Sequence, residues 1–183
     1  LYSLYMVAIE YNQLRKYKES IDILYDVYNI ACEQNDRSLQ NISLIDICSN
    51  YIELEEDEEC LSIYPLIDVS CCQGYSVCDY YCIGAILEAC RGNYQYAEKL
   101  LSIAELQTDR NQMLINYAMY RVQLFQNNCD RALEIYRLMI AMQDEAVYNL
   151  INGSLLQGQI DLIDSERTLI EERAQIDKMR LIC

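Results

Sequence analysis

YNQLRKYKESIDILYDV, residues 11–27, holds the end of one amphipathic helix, a tight polar turn and the start of a second helix. Tyr11 closes an apolar stripe begun by Leu4, Val7 and Ala8. Past Arg15 and Lys16 a second stripe runs through Tyr17, Ser20, Ile21, Leu24 and Val27. Both carry the three-and-four spacing of a helix that buries one face. So short a turn sets the two helices antiparallel, and neither is long enough to stand alone in water. The pair needs neighbours, which the rest of the chain has to supply.

Copies of the pair follow. Leu44, Ile47, Cys48 and Tyr51 repeat the first stripe; beyond Glu55 and Glu56, Cys60, Tyr64 and Ile67 repeat the second. A third copy has Tyr81, Gly84, Ala85 and Glu88, a turn at Gly92 and Asn93, then Tyr94, Ala97, Leu101 and Ala104. In the fourth, Cys129, Ala132, Tyr136 and Met139 follow the turn in QNNCDR. Its first helix puts Tyr120 at the small position, with Ala118 two residues earlier, as a local insertion would. The fifth has Val147 and Leu150, a turn at Gly158, Gln159 and Ile160, then a charged helix through Met179 suited to a polar cap. The repeats span approximately 1–34, 41–74, 78–110, 112–143 and 145–183, within one domain, 1–183. Pro65 predicts a kink or an early end in the second helix of the second copy.

Composition agrees with an all-α chain: one Pro and five Gly in 183 residues leave few breakers. Ten cysteines without a secretory lead or framework spacing read as reduced thiols that pack as small apolar residues. Cys71, Cys72, Cys78 and Cys82 cluster but lack the paired CxxC spacing of a zinc site, so no metal is expected. No run is long and apolar enough to cross a bilayer. A net charge of −15 repels phosphate backbones and anionic lipid, so nucleic acid and membrane are not expected partners of this segment. The acidic run from Glu53 to Glu59 falls at a turn and a helix start, where the helix dipole favours it. With no His, no phosphate loop and no nucleophile motif, neither catalysis nor a cofactor is expected. Leu1 already belongs to an apolar stripe, which reads as a fragment of a longer protein.

The small pairs Ala8 with Ser20, Cys48 with Cys60 and Ala85 with Ala97, together with Gly92 at a turn and Tyr17 and Tyr94 just after one, resemble the tetratricopeptide repeat. That resemblance implies a right-handed α-solenoid of about five antiparallel helix pairs whose first helices line a concave groove. The chain departs from the family in lacking its Trp and in keeping the turn Gly only at Gly92 and Gly158. Its spacing also shrinks from about forty residues to about thirty-one. Such irregularity is similar to the arrays found as C-terminal sensor domains in Gram-positive bacterial transcriptional regulators.

The family geometry places Tyr5, Asn12 and Gln13, then Asp46 and Glu53, then Asp79, then Tyr117 and Arg121, and finally Tyr148, Asn149 and Asn152 on the groove. Ile45, Ile83 and Ile86 would join them. Asn12, Asn149 and Asn152 suit the clamping of a peptide backbone. Where chaperone-binding members carry a basic clamp, this chain has Tyr5, Ile9, Asp46, Asp79 and Ile83, which favours a ligand with a basic or amino-terminal group. The resemblance thus implies a non-catalytic peptide- or protein-binding domain, the ligand-sensing and dimerisation part of a cytoplasmic transcriptional regulator, forming a homodimer. The alternative is a structural adaptor that holds a basic protein partner.

Overall fold

The computed structural model describes the backbone of residues 1–180 and the side chains of residues 1–154 and 157. All regular structure among the described residues is helical. The elements are α1 (Tyr2–Gln13), α2 (Tyr17–Glu33), α3 (Arg37–Glu53), α4 (Asp57–Ile63), α5 (Tyr75–Cys90), α6 (Tyr94–Glu105), α7 (Gln112–Phe125) and α8 (Cys129–Arg180). Two single 3-10 turns, Tyr64–Leu66 and Val69–Cys71, separate α4 from α5. The chain divides into two units, the first Leu1–Met139 and the second beginning at Ile140.

Five turns in the first unit close in the same way. The amides of Lys16, Asp36, Glu56, Asn93 and Asn128 each donate to the carbonyl five residues back, on Tyr11, Ala31, Tyr51, Glu88 and Gln123. The residue before each of these amides, Arg15, Asn35, Glu55, Gly92 or Asn127, has positive φ. This left-handed closure satisfies the last carbonyls of a helix and reverses the chain within three residues. Gly92 adopts it freely, whereas Arg15 and Glu55 carry a Cβ in a region that disfavours one. Glu55→Gly is therefore expected to raise stability by about 0.5 to 1 kcal/mol, read as a higher urea midpoint.

The small pairs sit where the helices cross. Ala8, Ser20, Cys48, Cys60, Ala85 and Ala97 are all fully buried, and the Ser20 hydroxyl donates to the Ala8 carbonyl at 2.9 Å. In the fourth copy Ala118 and Ala132 are the buried small residues. Tyr120 is half-buried and packs its ring against Tyr117 and Tyr136, so the register of α7 is shifted as the insertion implied. Pro65 ends α4 after seven residues and leaves a 3-10 turn in its place.

Consecutive first helices lie side by side. Tyr5 reaches Asp46 and Asn12 reaches Asn50, so α1 and α3 run in the same direction. α3 contacts α5, and α5 contacts α7. The residue just after a turn recurs as a tie between pairs. The Tyr17 hydroxyl reaches Glu53 at the end of α3, and the Tyr94 hydroxyl donates to the Phe125 carbonyl at the end of α7 at 2.9 Å.

Two expectations need correction. Ile45, Ile83 and Ile86 do not line a groove: all three are buried, because α3 and α5 are covered by first helices on both flanks as well as by their own partners. The expected breaks near residue 143 and at Gly158 do not form, and α8 continues from Cys129 to Arg180. The fourth copy's second helix and the fifth copy are thus one helix, and the five expected pairs are not all pairs. Isolated Gly153 and Gly158 each cost a helix only about 1 kcal/mol, and no Pro enforces a stop. The polar cap at Ile163, Arg167 and beyond lies outside the described side chains.

Candidate functional site

The face shared by α1, α3 and α5 carries a carboxylate pair with one phenol. The Tyr5 hydroxyl donates to Asp46 Oδ2 at 2.8 Å across the seam between α1 and α3. Asp79, on α5, interacts electrostatically with both Asp46 and Tyr5. Burial pushes Asp46 up to about 7; the Tyr5 hydrogen bond opposes this and the Asp79 charge adds to it. Burial alone pushes Asp79 up to about 6. Burial and the neighbouring Asp46 also drive the Tyr5 phenol well above its ordinary range, so it remains a donor. One Asp79 oxygen, Oδ1, is sealed from solvent without a hydrogen-bond partner. A carboxylate stranded in this way loses hydration with no donor to replace it, which is why the proton is favoured.

Beside the pair runs a chain of neutral hydrogen bonds. The Asn12 amide donates to Asn50 Oδ1, the Asn50 amide donates to Ser20 Oγ at 2.9 Å, and Ser20 donates to the Ala8 carbonyl. Asn50 is fully buried and joins α1, α2 and α3. Asn12 is therefore half-buried with its amide committed to the framework, whereas Gln13 is exposed. Asn50 was not among the residues anticipated for this face. Its signal in the sequence was the polar spacing Ser43, Asp46, Asn50, Glu53 along one side of the helix.

Farther along the same face, Glu53 is exposed and accepts a long hydrogen bond from Tyr17. Tyr117 is half-buried and feels the charges of Glu53 and Asp57. Arg121 departs from expectation: it is 8% exposed, and both its terminal nitrogens bond inside the protein. Nη1 reaches the Ile52 carbonyl and the Tyr117 hydroxyl, both at 3.2 Å, and Nη2 pairs with Asp57 at 2.9 Å. The guanidinium also lies 5.5 Å from the Phe125 ring centroid. Arg121 is a tie from α7 to the junction of α3 and α4, with both terminal nitrogens committed within the protein. Asp57 lies in the first turn of α4 with Glu58 and Glu59, as the acidic run implied, but its principal partner is Arg121.

The remaining anticipated residues, Tyr148, Asn149 and Asn152, are exposed on α8 within the second unit. Cys72, Cys78 and Cys82 are buried and Cys71 is half-buried. Burial holds the Cys82 thiol well above its usual range, aided by Cys78 and Asp79. Among the described residues no three His, Cys, Asp or Glu side chains converge as metal ligands, and no described helix is long and apolar enough to cross a membrane.

No family model, curated protein or solved structure matches the chain. The residues themselves must carry the functional reading. Asp46, Glu53 and Asp79 take part in none of the ion pairs among the described residues, so three carboxylates on neighbouring first helices stand without a cation.

Proposed function

We propose that this chain is a tetratricopeptide-like solenoid domain that binds a peptide or protein segment through the face of its first helices, without catalysing a reaction. The observation that carries the proposal is the uncompensated acidic face: Asp46, Asp79 and Glu53 have no basic partner among the described residues, while half-buried Tyr117 lies within electrostatic reach of Glu53 and Gln13 is exposed at the end of α1. Apolar and amide groups suit an extended chain, and the carboxylates suit a lysine, an arginine or a free amino end. In this reading the domain is the sensing and dimerising part of a cytoplasmic bacterial transcriptional regulator, whose DNA-binding segment lies elsewhere in the same protein. Ligand binding would favour one curvature of the helical array over another.

Fluorescence titration of the protein with a basic peptide tests the binding. Glu53→Lys is expected to weaken affinity for a basic peptide about tenfold, equivalent to about 1.4 kcal/mol, because it replaces an attractive charge by a repulsive one, while the melting temperature of an exposed-site variant stays within about 2 °C. An affinity unchanged by Glu53→Lys and by Gln13→Ala would remove the face from the binding surface. Asn149→Ala with Asn152→Ala asks the same question of α8. Weakened binding at constant melting temperature would extend the surface to the second unit.

The second reading is a structural adaptor that holds a basic folded partner on the same acidic face. It is favoured by the overall charge of −15 and needs no regulatory ligand. A protein that holds its partner equally well with and without small peptides present would support the adaptor.

A further inference from the structure

We infer that the seam joining α1 to α3 and α5 is a proton-linked joint, docked on acidification and loosened as the Tyr5, Asp46 and Asp79 cluster loses its proton. This inference stands whether or not the face binds a peptide.

The joint combines polar ties with modest apolar packing, in which Leu4, Tyr5, Ile9 and Tyr11 of α1 are half-buried and Leu4 and Tyr5 pack against the core. Of the twelve residues of α1 only Ala8 is buried, while Tyr2, Met6 and Val7 are exposed. Its apolar contacts are chiefly with α2, and the side-chain ties that reach α3 are the Tyr5 to Asp46 bond and the Asn12 to Asn50 bond, while the Ser20 bond to the Ala8 carbonyl joins α1 to α2. Two of these are between neutral groups and do not titrate. The third ends on a carboxylate that feels the charge of a second carboxylate and, among the described residues, of no cation.

The titratable groups around this point are few. From α1 come Tyr5 and Tyr2, from α3 Asp46 itself, and from α5 Asp79 with Cys82 beside it. On α2 the nearest phenols serve other partners, Tyr25 meeting Tyr51 and Cys48, and Tyr28 meeting Cys32. On α7 the charged Arg121 is committed to Asp57. Among the described residues nothing basic acts on the pair, so ionising both carboxylates leaves two like charges and the donorless Asp79 Oδ1 in the seam. Protonating one of them removes the repulsion and leaves the Tyr5 bond in place.

The sign follows from linkage. Both acids titrate higher in the folded protein than in the unfolded chain, so the fold holds the extra proton. Docking is then strongest at and below about pH 4 and is lost as pH rises through about 6 and 7.

Amide hydrogen exchange of the whole chain between pH 5 and pH 8, normalised for intrinsic exchange, tests the joint. α6, whose buried residues are all apolar, serves as internal reference. Protection of α1 relative to α6 is expected to fall about tenfold or more across this range. Asp46→Asn and Asp79→Asn together keep an acceptor for Tyr5 and remove both charges, and should hold that ratio flat at its low-pH value. A ratio that does not change with pH in the wild type, or that still falls in the doubly substituted protein, would overturn the inference. So would carboxyl carbon resonances of Asp46 and Asp79 that both titrate near pH 4.

Discussion

Asp57→Ala is expected to be among the most damaging single substitutions in the protein, at about 3 to 5 kcal/mol, read as a fall in melting temperature of about 10 °C or more. The loss comes from the residue left behind. Arg121 keeps its charge at any accessible pH, and its side chain is only 10% exposed. With Asp57 gone, Nη2 loses both carboxylate oxygens, at 2.9 and 3.2 Å, and the Ile52 carbonyl and Tyr117 hydroxyl satisfy Nη1 alone. The rings of Tyr117 and Phe125 lie against the guanidinium, their centroids 6.0 and 5.5 Å from it. The control is the pair Asp57→Leu with Arg121→Met, which removes both charges and is expected to recover most of the loss. A urea double-mutant cycle measures the difference. A loss below about 1 kcal/mol for Asp57→Ala would mean that water reaches the guanidinium.

Arg121 also shows where the sequence could be followed and where it could not. The helical character of the chain, the turns and the buried small pairs were legible because each is local: a polar triplet between two stripes, or a small residue at a fixed offset from the turn. The groove residues depended on how successive pairs stack, which no local pattern states. Side-by-side packing of α1, α3, α5 and α7 buried the isoleucines, spent Asn12 on Asn50 and turned Arg121 inward. One signal was available: Arg121 is the lone charged residue between Gln112 and Cys129, and a single cation in an apolar helix calls for an acidic partner. Its partner lay within an acidic run that the helix dipole already explained, so the pairing was hidden behind a sufficient local cause. The extent of α8 was illegible for the opposite reason, since Gly158 resembles the turn glycine at Gly92 but lacks the following Asn.

Gly84→Ala is the second large effect, and its direction runs against helix propensity. In the interior of a helix such as α5 this change ordinarily gains about 0.5 to 1 kcal/mol. Here the added Cβ would collide with the Tyr64 hydroxyl, approach Tyr64 Cζ at 3.0 Å and meet Leu100 Cδ1 at 3.3 Å. Tyr64 has no easy escape. Its ring stacks on Tyr80 with centroids 4.6 Å apart, its hydroxyl donates to the Tyr80 carbonyl at 3.2 Å, and Pro65 stiffens the backbone immediately after it. The expected net loss is about 2 kcal/mol, within the usual range for overpacking a core. Tyr64→Phe alone should cost about 1 kcal/mol for the lost hydrogen bond, yet in the G84A background it removes the nearest clashing atom and should restore stability. The two changes are thus expected to couple by about 1 kcal/mol or more in a urea cycle, and simple additivity would show that Tyr64 moves aside at no cost. If the coupling is found, adjacent positions on α5 have separate duties: buried Ala85 serves the crossing with α6, and Gly84 makes room for the tyrosine that the shortened α4 delivers.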